Sequence, residues 1–491
     1  MGLIRFIVSP PERVSNEMAS QIYMSGSDRI PWQCRVRQSD GILTVERNVD
    51  DSGSLHVPWD VDGYGLLTVS TGSLMEREAP YHLPLELARG KIAQVRNQLA
   101  EWQAIGLVIP DFVLERQNEA IEHFALAAVD ANDSEKSVRE AEVALRKALE
   151  AGYTLAACYS EQALVVRHRE CPKLPTFLGA DLGSTLLDYN TARQFLGTFN
   201  AANVPLVWRE VETCEGQYDW AINDKQIEWC HVNGLTTCVG PLLQLGKQYI
   251  PDWLYLFEED FDTLQSSVFE FIQATVERYR GKVQLWQCAG RVNTGGPLAI
   301  SEEEKIRLTA SVIELTHSLD PETPVVVSFD QPWAEYVGRQ EMDFPAIHFA
   351  DALVRANLGL GGIVLEINMG YHPEGTFPRD PIDFCRCLDV WSNLGKPVYV
   401  ALCTPSSNTN DPLAKQSAKT LANDCSPKTQ QDWISRFIPL LLSKSPVSGI
   451  IWNQLKDSEP HNFPYGGLFD MQDQPKPSIQ NLALIRNTHL E

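Results

Sequence analysis

The pattern of apolar and polar positions changes character twice along the chain. Over the first 80 or so residues, short β-branched and aromatic runs are cut by turn signals: IRFIV, PWQCRVR, GILTVERN, SLHVPWDV and GYGLLTVSTG. They predict a small antiparallel β domain over residues 1–83. From 84 to 172 apolar residues recur at helical spacing, as in LELARGKIAQVRNQLAEWQAIG and SEKSVREAEVALRKALEAGYTLAACYSEQALVVRHR, which predicts two or three long helices forming a hairpin. The acidic DANDSEK before the last helix reads as a solvated turn with Asp133 or Ser134 as N-cap.

From 173 to 491 the pattern alternates. Short apolar runs (TFLGAD, VPLVWREVE, LTTCVGPLL, KVQLWQCAG, TPVVVSFDQ, GGIVLEINM, KPVYVALC and SGIIWNQL) are separated by amphipathic stretches such as FDTLQSSVFEFIQATVERYR. Eight such units predict an α/β fold, a (β/α)8 barrel, following the β domain and the helical hairpin. In that fold, function gathers where the strands end.

The polar residues at those ends are, in order, Asp181; Arg209, Glu210 and Glu212; Gln244; Arg291 and Asn293; Asp330; Glu366 and Asn368; Thr404 and Ser406; Asn453, Lys456 and Asp457. Trp208, Trp286, Trp333, Tyr371 and Trp452 interleave with them. Carboxylates, amides and flat rings in one mouth suit a carbohydrate. The candidate substrate-binding residues are Arg291, Trp208, Glu210, Trp286, Trp333, Asn368, Trp452 and Asp457. Glu366 and Asp330, ending successive apolar runs, are the candidate catalytic pair, because burial and mutual repulsion can split two neighbouring carboxyls into an acid and a base. The competing reading is that each acid only pairs with a neighbouring cation, Arg291 first among them. Glu210 and Glu212, two apart, are expected on one face of the second strand.

Composition narrows the partners. A net charge of −23 disfavours nucleic acid and anionic lipid surfaces. No apolar run is long enough for a membrane span, and Phe6 stands where a myristoylation signal needs Ser or Thr. Eleven cysteines, scattered through predicted strands and helices, fit a reducing cytoplasm better than a disulfide framework. The ten histidines form no metal-binding spacing, so neither metal nor cofactor is expected; His372 and His461, in mouth loops, are candidates to touch a ligand. Trp32, Trp59 and Tyr64 of the β domain read either as an accessory sugar surface or as core. The apolar residues of QLAEWQAIGLVIPDF make the N-terminal region a candidate for self-association.

Several stretches, in the right order, resemble the xylanase-type glycoside hydrolases of family 10: WREVETCEGQYDWAINDKQIEWCHVNGL, PDWL, ERYRGKVQLW and GIIWNQLKDSEPHNFPYGGLFDMQDQPKPSIQNL. The resemblance spans about residues 175–485 and implies a retaining glycosidase barrel. Its catalytic motifs do not carry over. Where the family has a fourth-strand Asn-Glu ending in the acid/base, this chain has Gly290 and Arg291; the nucleophile's slot holds Leu402. The third-strand positions of the sugar-binding His and Trp fall in Gly240–Gly246, which has neither. No Asp or Glu lies between Lys282 and Ser301 or between Val398 and Asn410. Asp330 matches an Asp after the family's fifth strand, and Glu366 and Asn368 match its sixth-strand Gln-x-His positions. Three functions follow as expectations: a divergent glycoside hydrolase acting on an oligo- or polysaccharide through a relocated carboxylate pair, a carbohydrate-binding or scaffolding barrel without catalysis, or a different chemistry, such as a lyase or transferase, on the same fold.

Overall fold

The computed structural model describes residues 2–129, 134–296, 298–339, 341–415, 419–421 and 424–491. Two four-stranded sheets form the N-terminal β unit. One places Cys34–Ser39, Ile42–Arg47, Gly2–Ile7 and Tyr81–His82 side by side; the other, Pro31–Trp32, Tyr23–Ser25, Ser54–Val61 and Gly65–Ser70. Three helices follow: α1 (Leu83–Ala104), α2 (Asp111–Val129) and α3 (Ser134–Glu170). Asp133 lies outside the described residues. The 37 residues of α3 make a rod about 55 Å long.

The helices serve two cores at once. Leu87, Ala144 and Leu149 pack with Phe6, Val57 and Trp59 of the sheets, whereas Val95, Trp102 and Leu155 belong to the barrel's cluster. Gly90 permits the contact with the sheet, since a Cβ there would lie 2.2 Å from the Ser70 carbonyl oxygen. Trp59 is fully buried and its Nε1 donates to Glu142; Tyr64 tilts against Tyr153, and Arg47 sits over Trp32. Ile105, Val108 and Phe112 stand exposed around the turn from α1 to α2.

The remaining chain closes an eight-stranded parallel barrel. Its strands are β1 (Phe177–Asp181), β2 (Ala201–Val204), β3 (Thr236–Val239), β4 (Leu285–Gly290), β5 (Val325–Asp330), β6 (Leu360–Asn368), β7 (Val398–Cys403) and β8 (Val447–Trp452). Each pairs with the next, and β8 pairs back to β1. The second strand falls earlier than its sequence pattern indicates. Ala201 and Ala202, weak strand formers, carry it, while Trp208–Val211 is a turn of helix. Glu210 and Glu212 therefore do not share a strand face: Glu210 is exposed, and Glu212 is buried, accepting from Trp208 Nε1 at 2.7 Å and from the Gly216 amide at 2.7 Å.

Inside the barrel, Phe177, Cys238, Leu285, Val326, Val364, Tyr399 and Ile451 form an apolar floor, with Phe177 stacked on Tyr399 at 5.6 Å. Gly449 makes room for it, because a Cβ there would stand 2.3 Å from the Phe177 ring. Strand alternation then makes the next inward positions polar: Asp181, Ser328, Glu366 and Asn453.

The N-terminal half meets the barrel through buried charge. Arg379, 1% exposed, donates to the Tyr23 hydroxyl (2.9 Å) and Glu335 Oε1 (2.7 Å) and pairs with Asp383 at 3.1 Å. Next to it in sequence, Asp380 pairs with Lys91 of α1 at 2.5 Å. One dipeptide thus grips both the sheet and the helical layer.

Candidate functional site: the barrel mouth

Strand register brings the two candidate acids together. Asp330 and Glu366 are paired residues on β5 and β6, so their Cα atoms are direct neighbours, about 4.8 Å apart. Their surroundings then diverge. Glu366 Oε1 accepts from Ser328 Oγ at 2.6 Å and Oε2 from Arg291 Nε at 2.7 Å. The Arg291 guanidinium also stands 3.7 Å from Glu374 and over the Phe463 ring at 5.4 Å. Burial opposes the guanidinium charge, yet Glu366 and Asp330 hold it protonated well above its ordinary range. Arg291 has a left-handed backbone, φ 53°, and its amide donates to the Ser328 carbonyl at 3.1 Å. That conformation, uncommon outside glycine, turns the chain after β4.

Arg291 divides the mouth. On one side lies a cavity of about 290 Å³, lined by Glu366 and also by Asp181, Asn203, Gln287 and Asn453; on the other lies one of about 490 Å³, lined by Asp330, Glu341 and Glu374. Arg291 and Tyr249 line both. Asp330 is 2% exposed, and Asn293 clamps its backbone, accepting from its amide at 3.0 Å and donating to its carbonyl at 2.8 Å. Burial first, then repulsion from Glu366 and Glu374, pushes its carboxyl up to about 7 against the pull of Arg291.

The first cavity has its own perturbed acid. Asp181, at the end of β1, accepts from Asn203 Nδ2 at 2.7 Å and from the Gly183 amide at 2.8 Å. Desolvation outweighs both bonds and raises the carboxyl to about 6. Lys456 stands among Asp188, Glu459 and Asp473 at 3.7–3.8 Å. His461 lines the same cavity with both ring nitrogens engaged, Nε2 by Asp411 at 2.9 Å and Nδ1 by the Glu459 carbonyl at 2.7 Å.

The other sequence candidates are dispersed. Glu210 is exposed on the cavity rim. Trp208 borders the cavity but is 2% exposed, stacked on Phe271 at 4.9 Å. Trp286 and Trp452 point outward into the helical shell, donating to Asp320 at 2.9 Å and to the Gly466 carbonyl at 2.9 Å. Trp333 sits under Arg379 at the junction with the N-terminal half. Asn368 is buried and accepts from Asn453 Nδ2 at 2.8 Å. Asp457 is buried behind the mouth, bound to Lys476 at 2.5 Å and to the Gly467 amide at 2.7 Å. His372 lies against Gln21 of the β unit, its Nε2 2.9 Å from the amide nitrogen.

Asp181, named among the polar strand ends but not among the site candidates, and Gln287, not named, both carry inward strand parity, two residues beyond Gly179 and Leu285. His461, a candidate from the sequence, lines the cavity; Phe463 and Asn462 arrive from the same loop after β8, where no local pattern announces them. Among the described residues no group of three or more His, Cys, Asp or Glu is arranged to hold a metal ion, and no helix is long and apolar enough to cross a membrane. No disulfide joins cysteines among the described residues.

No protein-family model matches the chain, and no curated protein matches it. Among solved structures it is similar to native xylanase 10B from Thermotoga maritima, at 14% identity and a TM-score of 0.51, over 65% of this chain and 97% of that one. Xylanase 10B from Thermotoga petrophila, in complex with xylobiose, follows at 15% identity and 0.49, over 64% and 95%. Xylanase B from Clostridium stercorarium has 17% identity and 0.49, over 65% and 98%. At 14% identity the likeness to the Thermotoga maritima structure establishes the barrel fold and leaves the chemistry to the residues.

Proposed function

We propose that the chain is a carbohydrate-active barrel that binds a short sugar in the cavity beside Glu366 and cleaves a glycosidic bond there. The observation that carries this reading is the pair of contrasting carboxyls that line one cavity from different strands. Asp181, held protonated up to about 6, is placed to give a proton. Glu366 accepts from a guanidinium and a hydroxyl, one through each oxygen, which assigns it the part of nucleophile or base. The half-buried amides of Gln287 and Asn453 offer donors and acceptors to sugar hydroxyls. Asp330, buried across Arg291 from this cavity, takes no part in the proposed cleavage.

A second reading rests on the same ion pair. Both Glu366 oxygens are already satisfied, so the mouth also suits binding without turnover. The test is an oligosaccharide panel on the full chain, read by calorimetry for binding and by reducing-end release for cleavage, with Asp181→Asn and Glu366→Gln. Loss of cleavage by 100-fold or more in both variants, with binding retained, supports the hydrolase. Binding without cleavage in the unmodified protein selects the second reading, and no binding anywhere in the panel overturns both.

A further inference from the structure

Three contacts cross the barrel mouth between strands that are not neighbours. Arg291, after β4, lies 5.4 Å over the ring of Phe463, which arrives after β8. In a closed ring of eight strands β4 and β8 stand opposite one another, so this contact spans the diameter. Asn462, next to Phe463, donates to the hydroxyl of Tyr249, after β3, at 2.5 Å. On the other flank the Arg291 guanidinium reaches past β5 to Glu366 on β6, at 2.7 Å. Together these side chains form a bar across the opening.

The bar is anchored on several loops. Phe463, 3% exposed, packs on Tyr371 at 5.0 Å. The loop that carries it is tied to the loop after β7 through Asp411, which accepts from the Tyr465 amide at 2.9 Å and pairs with His461 at 2.9 Å. Glu459 ties it to the loop after β1, accepting from the Thr185 hydroxyl at 2.5 Å. Side chains locked by packing and by partners on other elements hold their place.

The 290 Å³ cavity beside Glu366 is therefore a blind pocket rather than a groove. Its exposed lining residues are Ser184, Glu210, Asp219, Ile222, Lys415 and Pro460. All follow β7, β8, β1 or β2, one contiguous half of the ring, and the bar stands on the other side. The volume is at the small end of ligand sites, enough for a sugar residue or two. The closed floor leaves a polymer two ways to meet the barrel, end-on or sideways across the mouth; the bar removes the second.

We infer that this pocket reads the non-reducing end of a saccharide chain, seating the terminal residue against the bar and leaving the rest of the chain outside. Which end enters rests on the proposed cleavage, because the acid of a glycosidase protonates the oxygen of the group that leaves. Asp181 ends β1, within the exposed half, and Glu366 belongs to the bar. The leaving chain thus points outward and the terminal residue inward. The bond from its anomeric carbon to the bridging oxygen breaks, and the Asp181 proton goes to that oxygen. Water supplies a hydroxyl to the carbon, and its remaining proton replaces the one Asp181 gave.

The inference depends on the sugar-binding reading of the mouth, and the experiment separates the two. The full chain is titrated with β-1,4-xylose, β-1,4-glucose and α-1,4-glucose oligomers of two to six residues, labelled at the reducing end and either free or benzylated at the non-reducing terminal 4-hydroxyl. In a series that binds, affinity is expected to stay within about threefold beyond the disaccharide, and the benzyl cap to cost about tenfold or more. Initial cleavage of the labelled hexamer is expected to yield only labelled chains shortened by one or two residues. Asn462→Ala, which removes the bridge to Tyr249, is expected to recover about fivefold of the affinity lost to the cap. Affinity that climbs with every residue to six, capped chains bound as tightly as free ones, or initial products of all lengths overturn the chain-end inference while the sugar reading stands. A cap penalty that Asn462→Ala does not relieve overturns the bar as its cause. Absence of binding in every series overturns the inference together with the sugar reading. If Asn462→Ala does not fold, the length series and the cap on the unmodified protein still decide the question.

Discussion

The molecule holds two clusters of buried carboxylates and arginine, and they are finished differently. At the junction between the N-terminal half and the barrel, Arg379 meets Glu335, Asp383 and the Tyr23 hydroxyl, and Lys91 meets Asp380. At the mouth, Arg291 satisfies Glu366 alone at hydrogen-bond distance, while Asp181 and Asp330 stay perturbed beside cavities. Charge packed between two bodies holds them together, even though Glu335 Oε2 and Arg379 Nε lack hydrogen-bond partners there among the described residues; charge beside open volume is available to a ligand. The chemical components are alike in the two places, so adjoining volume, not residue type, separates glue from site.

That contrast can be broken at the junction first. Arg379→Ala leaves Glu335 and Asp383 buried without their counter-charge and is expected to cost about 3–5 kcal/mol in equilibrium denaturation; a loss under 1 kcal/mol would mean the junction is not held by charge. Tyr23→Phe removes the hydroxyl that accepts from Arg379 and should cost about 1–3 kcal/mol in the same assay.

The mouth gives smaller stability effects with a distinct pH signature. The Asp181 carboxyl is raised to about 6 in the folded chain, above about 3.9 when unfolded. The folded state therefore holds the extra proton between these values, and this contribution to stability is full below pH 4 and disappears as pH rises through 6. Asp181→Asn should remove the dependence, so that the stability difference between the two proteins changes by about 1–2 kcal/mol from pH 4 to 7. Identical pH profiles would show that Asp181 is not desolvated as described. The smallest effect is expected from Glu210→Gln on the exposed rim, within about 0.5 kcal/mol of the parent; a larger change would move Glu210 from the rim into the framework.

Much of the architecture was legible because closed barrels advertise themselves as apolar runs at regular intervals. The sixth and eighth strands begin one residue before the runs that announced them, and five fall within theirs. The second did not, since the Ala201–Val204 strand is quiet in the pattern, and the louder VWREV beside it forms a helical turn. The mouth was legible in part. Asp330, Glu366 and Arg291 were found because they terminate strands, and register brings them side by side. Trp286 and Trp452 terminate strands as well, but period-two parity with Leu285 and Ile451, which line the floor, sends them outward. Tertiary facts were out of reach: Ser328 beside Glu366 and Phe463 beneath Arg291 depend on segments brought together only by folding.

The stacked Phe177 and Tyr399 rings that seal the barrel also set the traffic rules of the molecule. A visitor that descends between the strands meets a dead end at these rings and leaves by the mouth. No polymer can be threaded through like a cable. A long chain can present only a terminus, or one side of itself, to the chambers at the top, and the size of what is read is limited by the depth of the well rather than by the length of the strand outside it.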